Sequence, residues 1–130
     1  MGAYFGGRLA EAGHEVTFVA RGAHLEALRS RGLRVASTEG DFEVAPVLVV
    51  ARAAELPAVD FVLLGVKTWQ VREAVSDLGA ALSGGGAVLT LQNGVEAPDE
   101  VASLWGEAAV LPGLCRLMSY VEAPGVIRHA

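Results

Sequence analysis

The sequence is poor in the features that mark membrane, secreted and metal-binding proteins. It has one cysteine, Cys115, so no internal disulfide can form, and a reducing cytoplasm is the expected compartment. No apolar run approaches the ~18 residues that span a bilayer, and the N-terminus lacks the basic and apolar stretches of a secretory signal. The three histidines, His14, His24 and His129, are too scattered for a zinc site. We therefore expect a cytoplasmic protein that uses neither a membrane nor a metal ion.

Positive charge is also scarce, and lysine almost absent. Ten Lys and Arg residues face fifteen Asp and Glu, and the net charge of −5 argues against a nucleic-acid partner. Lys67 is the sole lysine among those ten residues. With 130 residues, of which 52% are hydrophobic, the chain has the size and composition of a single folded domain, residues 1–130.

The first third of the chain alternates between helical and strand patterns. Phe5 and Leu9 recur at helical spacing, and Gly13 stands where a glycine ends a helix. Residues 15–20 (EVTFVA) are rich in β-branched and aromatic residues and predict a strand, and residues 23–30 (AHLEALRS) predict a short helix.

From Leu33 to Val50 the pattern changes to a period of two. Leu33 and Val35 alternate with polar residues, residues 39–41 (EGD) predict a turn, and Phe42 and Val44 resume the alternation. This pattern is typical of a β-hairpin with antiparallel pairing.

The rest of the chain again alternates strands and helices. The patterns predict buried parallel strands over 60–66, 87–91 and 108–111, helices over 69–82 and 98–106, and an edge strand over 126–129. This order predicts an α/β fold, a Rossmann-like, doubly wound and mostly parallel sheet with a β-hairpin insertion.

The expected first strand of such a sheet is missing. Gly2 and Gly6, followed by Gly7, match the later part of a G-x-G-x-x-G-x-x-x-G pattern, although small residues that pack a helix explain them equally well. If the pattern holds, the strand and the first two glycines lie upstream, and Met1 is an internal methionine of a longer protein.

Three polar residues follow predicted strands at the carboxyl end, where nucleotides bind in doubly wound folds. Arg21 lies 19 positions after Gly2, where an NAD site places a carboxylate, and an arginine there favours the 2′-phosphate of NADP over an ordinary solvated role. Lys67 stands just before a predicted helix, where a cation opposes the helix dipole, so either an anionic ligand or simple solvation explains it. Asn93 belongs to an Asn-Gly pair that also predicts a plain turn.

Several segments together resemble the ketopantoate reductase family, in that family's order and spacing. They are residues 2–21 (GAYFGGRLAEAGHEVTFVAR), 66–70 (VKTWQ), 91–95 (LQNGV) and 122–129 (EAPGVIRH). The hairpin around residues 39–41 resembles the family's insertion after its second helix. The resemblance spans essentially the whole chain and implies the family's N-terminal NADP-binding domain, truncated at both ends.

The resemblance implies reduction of 2-dehydropantoate, a 2-keto acid, to pantoate by NADPH, a step in the biosynthesis of pantothenate and coenzyme A. It assigns cofactor contacts to Gly2, Arg21, Lys67, Gln70 and Asn93, and substrate contacts to Asn93 as well. The family's general acid is a lysine of a helical C-terminal domain, so we expect no catalytic residue in this chain and no turnover by these 130 residues alone. The complete protein would then be an enzyme, and a homodimer is compatible with the resemblance.

Two other interpretations remain open. A β-hydroxyacid or 6-phosphogluconate-type dehydrogenase also joins a Rossmann domain to a helical one, but the hairpin and the VKTWQ and LQNGV segments favour ketopantoate reductase. A non-catalytic nucleotide-binding or scaffold fragment is the alternative outside enzymes, and the missing glycine loop is the feature that supports it.

Overall fold

The chain divides into two compact units. The structure, a computed structural model, describes residues 1–92 and 96–130. Unit 1 comprises Met1–Ala51 and Leu117–Ala130, and unit 2 comprises Arg52–Arg116. The prediction of one partial nucleotide-binding domain over residues 1–130 stays a prediction. Among the described residues, no helix is long and apolar enough to cross a membrane.

Helices and strands alternate through most of the chain. The helices are α1 (Gly2–Glu11), α2 (Gly22–Arg31), α3 (Val71–Ser76) and α4 (Glu96–Trp105). The strands are β1 (Thr17–Val19), β2 (Leu33–Ser37), β3 (Phe42–Val44), β4 (Leu48–Val50), β5 (Phe61–Leu64), β6 (Ala87–Thr90), β7 (Val110–Pro112), β8 (Ser119–Ala123) and β9 (Val126–His129). Short 3-10 turns cover Ala53–Glu55, Thr68–Gln70 and Glu107–Ala109. The predicted α/β class with parallel strands is confirmed.

Unit 1 contains two sheets. Strand β1 pairs in parallel with β4, and a four-stranded sheet has the order β3-β2-β9-β8. The predicted hairpin is confirmed, because β2 and β3 pair antiparallel with Leu33 opposite Val44 and Val35 opposite Phe42. The alternating apolar residues of this hairpin face one side, where Leu33 and Val35 are fully buried.

The prediction that residues 126–129 form an edge strand was wrong. Strand β9 lies between β2, with which it is parallel, and β8, with which it is antiparallel. Its Ile127 is 2% exposed and stands opposite Val35 of β2. Strand β9 is interior because the segment before it forms β8, and β8 is the edge strand of this sheet.

Helix α1 packs closely on the strands through its glycines. A Cβ atom on Gly6 would lie 2.8 Å from the Phe18 ring, and one on Gly7 would lie 2.8 Å from Leu33 Cδ2. The helix ends as predicted at Gly13, whose φ is +97° and whose N–H donates to the Ala10 carbonyl. Small residues on this face therefore bring the helix backbone close to the buried core of unit 1.

Unit 2 contains a three-stranded parallel sheet with the order β5-β6-β7. The helix predicted over 69–82 is shorter, because α3 ends at Ser76 and a series of turns follows. The Leu78 N–H bonds to the Val75 carbonyl at the tighter three-residue spacing, and Gly79 comes next. Val71, Val75 and Leu78 are buried, and Leu82, at the same helical spacing, is half-buried.

Unit 1 should lose stability in mild acid because of His24. Its Nδ1 accepts a hydrogen bond of 2.9 Å from the Gly125 N–H, and burial lowers the pKa of His24 below its ordinary 6.5. Below that pH the His24 side chain binds a proton more readily in the unfolded chain than in the folded one. The contribution of neutral His24 to the unfolding free energy is therefore fully present above about pH 6.5 and is lost as pH falls through the folded pKa.

Urea unfolding followed between about pH 7.5 and about pH 5 measures this effect. His24→Asn keeps a short acceptor for the Gly125 N–H without the titration, so its unfolding free energy should vary less with pH than that of wild type. The exposed His14, replaced by asparagine, is the matched control and should keep the wild-type pH dependence. Equal pH dependence in His24→Asn and wild type would contradict the role of His24.

Candidate functional site

The carboxyl ends of the three parallel strands in unit 2 are level with one another. Leu64, the last residue of β5, stands opposite Thr90 of β6, and Thr90 stands opposite Pro112 of β7. The segments that leave these strands therefore begin at one edge of the sheet. Ligands of open parallel sheets bind at this edge, which makes it the candidate site of unit 2.

Two of the predicted cofactor residues meet at this edge. Lys67 precedes the 3-10 turn Thr68–Gln70, and its N–H donates to the Gln70 side-chain oxygen at 3.1 Å. In return the Gln70 N–H donates to the Lys67 carbonyl at 2.8 Å. Both residues are exposed, so the Lys67 ammonium is accessible to an anion at the strand end.

Gln92 is the residue of this edge that the sequence patterns did not single out. Its side chain is buried, and its Nε2 donates to the Leu64 carbonyl at 2.6 Å and to the Val66 carbonyl at 2.9 Å. Its Oε1 accepts the Leu91 N–H at 3.2 Å. The sequence feature that could have indicated its role is its position as the first polar residue after the apolar run at 87–91, directly before Asn93.

Asn93, predicted to contact substrate and cofactor, lies outside the described residues, which resume at Glu96. It directly follows Gln92 in the chain. Its assignment therefore stays a prediction.

The two tryptophans near this edge have different environments. Trp105 is half-buried, and its indole N–H donates to the Val75 carbonyl at 2.7 Å. Trp69, by contrast, is 81% exposed. A short 3-10 turn in place of a longer helix leaves this ring in solvent, two residues from Lys67.

Gly2 and Arg21, the other predicted cofactor residues, lie in unit 1. Gly2 is the first residue of α1, where helix N–H groups favour a phosphate. Arg21 follows β1 directly and is the N-cap of α2, with extended backbone angles and an exposed side chain. Strands β1 and β4 run parallel through Ala20, whose N–H donates to the Val50 carbonyl at 3.1 Å, so Arg21 also stands at a carboxyl edge.

The structure thus brings Lys67 and Gln70 into direct contact and places Gly2 and Arg21 at helix N-termini. Within the ranges 1–92 and 96–130, no group of His, Cys, Asp and Glu residues is arranged to hold a metal ion. Within unit 2, Lys67 offers a cation to an anionic group. Within unit 1, Gly2 offers helix N–H groups and Arg21 offers a guanidinium, and both suit an anionic group as well.

Comparison with known proteins gives one consistent family. The model of the family described as ketopantoate reductase PanE/ApbA matches residues 1–130. A 2-dehydropantoate 2-reductase of Mesorhizobium japonicum is 34% identical over 99% of this chain and 46% of its own length. One from Nostoc is 33% identical over 99% of this chain and 40% of its own length.

Solved structures agree with the fold. The crystal structure of 2-dehydropantoate 2-reductase from Geobacter metallireducens has a TM-score of 0.89 and 32% identity, and the match covers 97% of this chain and 42% of that one. A D-mandelate dehydrogenase with bound NADH has a TM-score of 0.86 at 22% identity, which supports the fold alone. The chain spans less than half the length of the relatives that it matches.

Proposed function

The chain belongs to the ketopantoate reductase PanE/ApbA family, and from that premise we propose that it is the NADPH-binding part of an enzyme that reduces 2-dehydropantoate to pantoate. The match of the family model to all 130 residues carries the proposal. The curated relatives named 2-dehydropantoate 2-reductase support the substrate, a small 2-keto acid, and pantothenate biosynthesis as the setting. With a single cysteine, the chain also fits a cytoplasmic enzyme.

The residues of this chain fit an anionic dinucleotide. NADPH, when bound, supplies the hydride for the keto carbon, and a proton completes the alcohol. In this proposal Arg21, which is exposed beyond the end of β1, pairs with the 2′-phosphate through its planar guanidinium. The proposal assigns Lys67, which is exposed beyond the end of β5, to charge pairing with an anionic group of the cofactor. Gly2 begins α1, whose first-turn N–H groups favour the pyrophosphate.

The proton donor and much of the substrate site are expected outside these residues. The family resemblance assigns the general acid to a lysine of a further helical domain, and Lys67 is not proposed for that role. Its place beside the Gln70 turn suits charge pairing with the cofactor. A homodimer of the complete protein remains part of the proposal, resting on the family resemblance.

Replacing Arg21 with alanine should remove the preference for NADPH over NADH. Loss of a charge-assisted pair with the 2′-phosphate should weaken NADPH binding by about 10- to 100-fold and leave the NADH affinity almost unchanged. The dissociation constants of both nucleotides, measured by fluorescence titration of the complete gene product, check this.

Arg29→Ala is the matched control, since Arg29 is exposed on α2, which Arg21 caps, and forms an i,i+3 ion pair with Glu26 at 3.6 Å. This variant should keep the wild-type preference. Equal affinity of the wild type for both nucleotides would overturn the NADP assignment, and binding of neither would favour the scaffold alternative.

A further inference from the structure

The end of strand β6 holds an unusual concentration of buried polar side chains. In the part of the chain that the structure describes, the buried polar or charged residues are Thr90, Gln92 and His129. Two of these three stand within two residues of each other at the end of the central strand of unit 2. A buried polar group is costly unless its hydrogen bonds are made, so the partners of these side chains indicate what they do.

The Gln92 carboxamide is fully engaged with the backbone. The side chain is 4% exposed and makes three hydrogen bonds, two as donor from Nε2 and one as acceptor through Oε1. The two acceptors, the Leu64 and Val66 carbonyls, belong to the last residue of β5 and to the segment that leaves it. Gln92 therefore links the end of β6 by hydrogen bonds to the end of β5 and to the segment that follows β5.

One peptide group is held at both of its polar atoms. The Val66 carbonyl accepts from Gln92 Nε2, and the Lys67 N–H donates to Gln70 Oε1. These two atoms belong to the same planar peptide bond, between Val66 and Lys67. Two glutamine side chains from different segments thus fix the orientation of this plane, and with it the direction in which the Lys67 side chain leaves the backbone.

We propose that Gln92 is a positioning residue that, together with Gln70, orients Lys67 for contact with the bound nucleotide. The inference rests on the proposed function, because Lys67 is taken to meet the cofactor. It gives Gln92 a role that acts through Lys67 and not by touching the ligand. It also explains why a carboxamide occupies a site where an apolar side chain would otherwise fill the end of a buried strand.

The test is a double-mutant cycle on the affinity of the complete gene product for NADPH. Gln92→Met keeps the length of the side chain but removes both donors, and it should raise the NADPH dissociation constant about tenfold. In a Lys67→Ala background the same change should have less than about a twofold effect, because the oriented ammonium is already gone.

Thr90→Val is the matched control for this cycle. Thr90 is also buried on β6, but its Oγ1 accepts the Gly113 N–H at 3.4 Å, on the side of β7. Any effect of Thr90→Val on NADPH binding should therefore add to that of Lys67→Ala. Additive effects of Gln92→Met and Lys67→Ala would overturn the proposal.

A second measurement needs no nucleotide. Trp69 is exposed two residues after Lys67, so in a Trp105→Phe background its fluorescence anisotropy reports the rigidity of the turn. Gln92→Met should lower this anisotropy while the far-ultraviolet circular dichroism stays that of a folded protein. Unchanged anisotropy would overturn the claim that Gln92 restrains the turn Thr68–Gln70. Reduced anisotropy in a protein whose wild type binds no NADPH would overturn the proposed function alone.

Discussion

Replacing Gly86 with alanine is expected to destabilise unit 2 by about 3 kcal/mol or more. Gly86 comes just before β6, and a Cβ atom there would overlap the Val59 carbonyl oxygen and lie 3.2 Å from the Asp60 carbonyl oxygen. These are backbone atoms that cannot turn aside. The Asp60 carbonyl accepts the Ala87 N–H at 3.1 Å, and the Val59 N–H donates to the Ala81 carbonyl at 2.9 Å. If the backbone moved to relieve the overlap, these hydrogen bonds at the start of the β5–β6 pair would be lost.

Gly84→Ala is the matched control, two residues earlier in the same loop. The nearest atom to a Cβ there is the Ala58 Cβ, at 3.9 Å, which is ordinary contact. Its unfolding free energy should stay within about 0.5 kcal/mol of wild type. Urea unfolding followed by tryptophan fluorescence measures both variants, because Trp69 and Trp105 both lie in unit 2. Equal stability of the two variants would show that the loop before β6 can shift freely.

Replacing Gly32 with alanine should have a comparable effect on unit 1. Gly32 follows α2 with φ of +80° and ψ of −167°, a region that is almost restricted to glycine and costs other residues about 1–3 kcal/mol. A Cβ atom there would also overlap the Val44 carbonyl oxygen and lie 2.8 Å from the Ala45 Cβ. Strain and overlap together should cost about 3 kcal/mol or more, since β2 starts at the next residue and pairs with β3.

Gly13→Ala separates the two costs. Gly13 also ends a helix, with φ of +97°, but a Cβ atom there would meet nothing within 4 Å. This variant should lose only about 1 kcal/mol, the cost of the left-handed backbone. The near-ultraviolet signal of Tyr4 and Tyr120, both in unit 1, follows the unfolding of these variants. If Gly13→Ala lowered the unfolding free energy as much as Gly32→Ala, the overlap with the Val44 carbonyl oxygen would not account for the effect of Gly32→Ala.

Features set by local chemistry were predictable from the sequence. The end of α1 at Gly13 follows from the left-handed conformation that glycine tolerates, and the β2–β3 hairpin follows from alternation around the turn at residues 39–41. The positions of Arg21 and Lys67 beyond the ends of β1 and β5 were predictable because each residue follows an apolar run.

Features set by distant partners were not predictable. The interior place of β9 depends on β2, and the two segments are more than 80 residues apart in the chain. Trp69 is exposed because a 3-10 turn occupies Thr68–Gln70 and α3 begins only at Val71. The role of Gln92 depends on the Leu64 and Val66 carbonyls, which no spacing within the sequence reveals.

The interior position of β9 has a consequence for how the protein is made. Unit 2 is one continuous stretch, Arg52–Arg116, so all of its residues have been synthesised before residue 117 is added. The four-stranded sheet of unit 1 must wait for residues 126–129, and Ser37 meets its partner His129 only across 92 positions of chain. Closing so long a loop is slow, and until it closes, the edge of β2 is open to pairing with other nascent chains. Synthesis that stalls before residue 126 would therefore release a chain in which the edge of β2 has no β9 to pair with and is prone to aggregate.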